Sequence, residues 1–318
     1  MKFIPKLIPS SKKHKKFVVL EVGLGRVNIA IFEFTDDGPR FVGVGRRSFG
    51  ATDTILDATL EATDALGAIV DELPRAAIVG VCGGRLAAVT TIAKYNRENT
   101  KKPVDKDELS SVLQKIAAQP KKDLKVFFST VSGAKIDQAK VANPLGIKGE
   151  KAEISCFVAY KPPEELAVYD QVIEELEIKP LKIMPVGFAV SQMVATKLPS
   201  ETLILRVGAN QTEAAQLHEG HLVGITNFDV GGQELEFYNF AVEALLEKQD
   251  EKERSKAFWL YADSDNVDLV AVKKRIKEVD WAKKFNLSKE FEVTLAEGEN
   301  NFGPADQGLL ALSLQEVI

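Results

Sequence analysis

Apolar residues in this chain fall into two rhythms, one of strands and one of helices. From residue 17, Phe-Val-Val-Leu-Glu-Val is a nearly continuous apolar run that stops at Gly23, the pattern of a buried strand. Residues 28–34 predict its hairpin partner, and residues 41–49 a third strand after the Asp37-Gly38-Pro39 turn. Across residues 54–70 the apolar positions recur at steps of three and four, which predicts an amphipathic helix. Residues 76–82 then give a further buried strand ending at Gly83-Gly84. The same order returns downstream. A strand at 202–207 turns at Gly208. Strands at 211–217 and 222–228 are joined by Glu219-Gly220. A helix at 234–246 and a strand at 257–261 complete the unit. Three strands, a helix and a strand, met twice, predict an internal duplication of an α/β unit.

Residues 85–179 break that rhythm. They predict a helix at 106–118, announced by Pro103, Asp105 and Asp107, strands at 124–131 and 153–160, and a helix at 163–176. This reads as a small α+β insert, joined to the second half through Pro180 and Pro185. The organisation expected is a leader (1–16), a first half (17–84), the insert (85–179) and a second half (180–318).

A chain of 318 residues is too long for one ordinary core and suggests two lobes. With 45% hydrophobic and 27% charged residues it has the balance of a folded globular protein. The net charge of -5 gives no general affinity for nucleic acid. Cys82 and Cys156 stand far apart without metal-ligand spacing, which points to two buried thiols in a reducing compartment. No apolar run approaches the roughly 20 residues of a membrane span, and no secretory signal is present, so a cytoplasmic location is expected.

The leader is different in kind. Residues 1–16 hold six lysines, two prolines and no acidic residue. One reading is a solvated tail. The other is a peripheral tether to the inner face of the cell membrane, with Phe3, Ile4 and Leu7 dipping in and Lys6, Lys12, Lys13, Lys15 and Lys16 facing anionic headgroups.

Several stretches resemble a known family. Ala77-Ile-Val-Gly-Val-Cys-Gly-Gly-Arg85 is similar to the segment where the chain of the bacterial division protein FtsA leaves its first subdomain. Asn143-Pro-Leu-Gly-Ile-Lys-Gly149 resembles a loop of the FtsA insert subdomain, and Val230-Gly-Gly232 the glycine pair after the second phosphate loop. Gly303-Pro304 and Gly308-Leu-Leu310 resemble a final helix, at 304–318, that folds back onto the first lobe. PilM, the FtsA-like protein of type IV pilus assembly, carries an insert at the same place. The fold implied is α/β: a duplicated actin-like (ribonuclease H-like) fold with an inserted small α+β subdomain and a reduced second lobe.

The resemblance also implies where a nucleotide would sit, and the residues there depart from the family. Its first loop carries Asp, Gly and then Ser or Thr; here it reads Glu21-Val-Gly23-Leu24-Gly25, without the hydroxyl. Its second loop, Asp-x-Gly-Gly-Gly-Thr-Thr-Asp, reads Arg206-Val-Gly208-Ala-Asn-Gln-Thr212-Glu213 here, so an arginine stands where a carboxylate near the metal belongs. Two positive unit charges about 4 Å apart repel by roughly 4 kcal/mol at an effective dielectric of 20, and a divalent ion doubles that. Gly231 and Gly232 remain, but the glycine-rich turn over the adenosine is replaced by Ala262-Asp263-Ser264-Asp265. The reading is a non-hydrolysing relative with no cofactor and no catalytic or metal-binding residues. The rival is that Arg206 holds a phosphate of ATP directly, without metal and without hydrolysis.

His218 and His221 flank a hairpin turn and read as solvated, and Lys273, Lys274, Arg275 and Lys277 as an exposed helix face. The function expected is a non-catalytic FtsA-like scaffold working through protein partners at the division site. The alternatives are a PilM-like pilus adaptor, gripping a peptide of an inner-membrane pilus protein, and a residual ATP-binding polymerising ATPase.

Overall fold

The computed structural model describes residues 16–50, 53–70, 72–119, 121–141, 143–251, 254–287, 291–298 and 302–315. The tether candidates Phe3, Ile4, Lys6, Leu7, Lys12, Lys13 and Lys15 lie outside them. Lys16 is the exposed first residue of β1.

The first sheet contains β1 (Lys16–Val22), β2 (Arg26–Thr35), β3 (Gly38–Ser48), β4 (Ala76–Val81) and β9 (Lys179–Pro185), in the order β3-β2-β1-β4-β9. Helix α1 (Ile55–Gly67) links β3 to β4 and opens on Thr54, whose side chain accepts from the Asp57 amide. Between β4 and β9 come β5 (Ala87–Asn96), α2 (Lys106–Ala117), β6 (Lys125–Ile136), β7 (Ala139–Val141), β8 (Lys151–Lys161) and α3 (Pro163–Glu175). Helix α4 (Val186–Val194) leads into the second half.

That half has β10 (Thr202–Val207), β11 (Thr212–His218), β12 (His221–Phe228), α5 (Leu235–Glu247), β13 (Ala257–Ala262), α6 (Leu269–Lys277), α7 (Trp281–Lys284), β14 (Glu292–Leu295) and, after a single 3-10 turn, α8 (Gln307–Leu314). Its strands run β12-β11-β10-β13-β14, the order of the first sheet repeated, and the insert extends this sheet through β5-β8-β6-β7. The predicted duplication is thus complete, fifth strand included. In both halves the first two strands are antiparallel and the fourth and fifth run parallel to the first.

Some elements were not read from the sequence. Strand β5 is largely half-buried and carries Thr90, Thr91 and Lys94, so no continuous apolar run marks it. Strand β9 carries Pro180 and Pro185, and α4 is apolar on nearly every face, which hides its period. The expected boundary at residue 180 therefore falls at the start of a strand of the first sheet. Helix α3, assigned to the insert, buries Tyr169 and Val172 in the core of the first sheet.

Three cores result. The largest joins the first sheet to α4, α8 and one face of the second sheet. A second fills the other face of the second sheet under α5 and α6, and the third lies within the insert. Strand alternation divides the faces: Leu203, Leu205 and Val207 of β10 enter the second core, so Ile204 and Arg206 point toward the first lobe. Phe258, Leu260 and Ala262 of β13 do the same, which turns Trp259 and Tyr261 to the first lobe. At the β11–β12 turn Glu219 and Gly220 both have positive φ, 50° and 74°, the geometry of a two-residue hairpin, and His218 pairs with His221 across it.

Candidate functional site

The ends of β1, β4, β10 and β13 meet where the two lobes face each other, and there the chain buries four charged side chains. Glu21, Arg206, Glu213 and Asp263 are each at most 1% exposed. Arg206 Nη2 lies 2.8 Å from Glu21 Oε1 and 2.7 Å from Asp263 Oδ1. Its Nε and Nη1 have no hydrogen-bond partner among the described residues, nor have Glu213 Oε1 and the Tyr261 hydroxyl. Asn28 Nδ2 donates to Glu21 Oε2 at 3.0 Å.

Asp263 does more than balance Arg206. The amides of Leu24 and Gly25, at the tip of the first glycine loop, donate to its Oδ1 and Oδ2 at 2.8 and 2.9 Å. Asp263 is itself fixed by its own amide, which donates to Val207 O at 2.8 Å. The approach is close: a Cβ on Gly23 would lie 2.5 Å from Asp263 Oδ1 and 2.9 Å from Arg206 Nη2. Glycine is required there by contact rather than by a left-handed backbone.

The second loop is filled from both sides. A Cβ on Gly208 would lie 2.9 Å from Leu24 Cβ, so Leu24 packs into the facing loop. Gly232 N donates to Gly208 O at 2.8 Å, and a Cβ on Gly231 would strike Ala209 O at 2.2 Å. Thr212 Oγ1 turns away, donating to Val230 O at 2.9 Å. The Gly83-Gly84 turn, with φ of 63° and 57°, gives its amides to Glu213 Oε2 at 3.3 Å and Gln211 Oε1 at 3.0 Å. Lys161, also buried, donates to Gly83 O at 2.7 Å.

Burial sets the electrostatics. It pushes the Glu21 and Glu213 carboxyls above the ordinary carboxylate value, with Arg206 acting in the opposite direction. Burial also works against the charge on Arg206, but Asp263 and Glu21 beside it keep the guanidinium firmly protonated. The Cys82 thiol is pushed well up by burial and donates to Val22 O.

Eight of the nine residues named from the sequence are therefore in one neighbourhood, and the ninth, Thr212, faces Tyr238 on the far side of its strand. Asp263 follows β13, in the turn that the resemblance places over an adenosine, and its carboxylate reaches across to the first loop. Sequence reasoning missed Arg26 and Asp306. Arg26 is 3% exposed, reaches Asp265 at 3.2 Å, and holds both Ala305 O and Asp306 Oδ1. Arg46 binds the same Asp306 through Nε and Nη2, so two arginines pin the start of α8 to the first lobe. An arginine opening β2, a strand buried along its first seven residues, was the available signal.

No protein-family model and no curated protein sequence matches the chain. Solved structures do. A chain of the PilM–PilN type IV pilus biogenesis complex superposes with a TM-score of 0.63 at 12% identity, over 95% of this chain and 98% of that one. A protein of actin-like ATPase fold and unknown function from Bacteroides thetaiotaomicron superposes with a TM-score of 0.50 at 8% identity, over 97% and 99%. Identity this low speaks to architecture alone, and with the repeated strand order it leads to one conclusion: this chain has the duplicated actin-like fold.

Proposed function

We propose that this chain is a non-catalytic actin-like adaptor, working by protein–protein contact within a membrane-associated bacterial assembly of the type IV pilus kind. The observation that carries it is the carboxylate of Asp263 on the amides of Leu24 and Gly25, with Arg206 buried against it. A Mg–nucleotide complex does not fit such residues. The loop amides are already spent on an anion, and the divalent ion would have to lie beside a guanidinium. The remaining carboxylates, Glu21 and Glu213, are held toward their neutral forms by burial. Nothing in this arrangement orders an attacking water.

The pilus assignment takes its support from the whole-length likeness to a chain of the PilM–PilN complex. Among the described residues no helix is long and apolar enough to cross a membrane, which suits a subunit recruited by membrane-bound partners. The division-site reading rests on short motifs such as Asn143–Gly149, and the leader's lysines remain a candidate peripheral contact.

Calorimetric titration of ATP and ADP, with and without Mg²⁺, is expected to give no heat at millimolar nucleotide. Metal-dependent binding would overturn the non-catalytic reading. Deleting the gene is expected to abolish surface pili and leave cell length normal; filamentous cells would move the assignment to division. Sedimentation with anionic vesicles of full-length protein against a form lacking residues 1–16 tests the tether, which equal binding would remove.

A further inference from the structure

We infer that this chain supplies its own occupant for the phosphate site: Asp263 stands in for a phosphate and Arg206 for its counter-cation, so that the lobes are held closed without nucleotide. The inference rests on the non-catalytic reading and says what has replaced the ligand.

The geometry has three parts. A phosphate on this loop would accept from successive backbone amides, and the two carboxylate oxygens of Asp263 accept from two successive ones, Leu24 and Gly25. A bound phosphate would need a cation bridging it to a carboxylate of the first strand. Arg206 Nη2 makes that bridge, 2.7 Å from Asp263 and 2.8 Å from Glu21. Apart from Arg206–Asp263, which lies within the second half, these links cross between halves. Glu21, Leu24 and Gly25 belong to the first sheet and its loop, while Arg206 and Asp263 end two strands of the second. Glu213 to Gly83, Gln211 to Gly84 and Arg26 to Asp265 add three further crossings around the same centre.

In nucleotide-binding proteins of two lobes, closure depends on ligand because the ligand carries the bridging charges. Here those charges are covalent parts of the chain. Their effective concentration is fixed, so the closed arrangement does not respond to nucleotide. The adaptor would thus present one constant surface to its partners.

Amide hydrogen exchange of the ligand-free wild-type protein tests this first. The amides of Leu24 and Gly25 are expected to be protected, and free exchange there would overturn the inference whatever nucleotide does. In Asp263→Ala the same amides are expected to exchange about tenfold faster or more. Inorganic phosphate, compared with chloride at equal ionic strength, should restore their protection and raise the midpoint of thermal unfolding of the variant, with no matching effect on the wild type. Absence of that rescue would mean Asp263 is merely structural. Should Asp263→Ala fail to fold, Asp263→Asn keeps the shape and one acceptor; one of the two amides should lose protection while the other keeps it, and unchanged protection of both would count against the carboxylate. Free exchange together with silent ATP titration would remove the built-in occupant and leave the adaptor reading standing. Protected amides together with Mg-dependent ATP binding would overturn both, because a site already filled by Asp263 and Arg206 leaves no place for the metal–nucleotide complex.

Discussion

Two buried arginines organise carboxylates in this protein, and they affect them in opposite ways. In the insert, Arg97 on the edge of β5 grips Glu108 of α2 through both Nε and Nη2 at 2.8 Å, and its Nη1 donates to Gly149 O. Tyr95 donates to the same carboxylate, and these bonds from Arg97 and Tyr95 hold Glu108 below the usual carboxylate value. Between the lobes, Arg206 shares a single nitrogen between two carboxylates and leaves Nε and Nη1 without partners among the described residues. There burial wins, and Glu21 and Glu213 move up. The difference lies in how much of each desolvation cost is returned as hydrogen bonds. Arg97 returns it in full and fastens one helix to one strand. Arg206 returns it in part, but it fastens one lobe to the other.

The comparison breaks first at Arg206. Replacing it with Met takes the cation away from the buried Glu21 and Asp263 carboxyls, with an expected cost of about 3–5 kcal/mol in chemical denaturation. A loss below that of the insert variant would show that the lobes do not depend on this cation. Arg97→Met is expected to cost less, about 1.5–3 kcal/mol, because Glu108 keeps the Tyr95 bond and some contact with water. Its hydrogen-exchange signature should stay within β5, α2 and the loop around Gly149, without reaching Leu24 or Gly25.

Acid sharpens the contrast. The Glu213 carboxyl is raised in the folded state, so its ionisation destabilises the fold once pH exceeds the unfolded value of 4.5. The stability of wild type relative to Glu213→Gln should therefore rise as pH is lowered from 7 toward 4.5. Glu108 is lowered, so its stabilisation is fully present above 4.5 and is lost only as pH falls through the folded value beneath that. The gap between wild type and Glu108→Gln should stay constant from pH 7 to 4.5 and close below it. Parallel curves for the two variants would erase the distinction. At the bottom of the scale, the exposed Arg85 pairs with the exposed Glu164 and with Glu165, which keeps its partner Lys161 when Arg85 is lost, and Arg85→Ala should unfold at close to the wild-type temperature.

The sequence by itself determined the duplicated frame. Continuous apolar runs fixed β1, β4, β10 and β13, the first three closed by a glycine turn, while three-and-four spacing fixed α1, an amphipathic pattern α5, and Pro103 with Asp105 and Asp107 the start of α2, because burial on both faces of a central strand or one face of a helix writes itself into local composition. It also singled out Arg206 and Asp263, which depart from the motifs of the family that the chain resembles, and these two side chains lie together between the lobes. Tertiary structure decided what those residues do. Asp263 and Leu24 are 239 positions apart, and no local rule says that a carboxylate ending β13 will cap the loop after β1. The same holds for β9 beside β4 and for Asp306 between Arg26 and Arg46: each partner is chosen by the fold, because an ion pair or a sheet edge depends on distance in space and leaves no period in the chain.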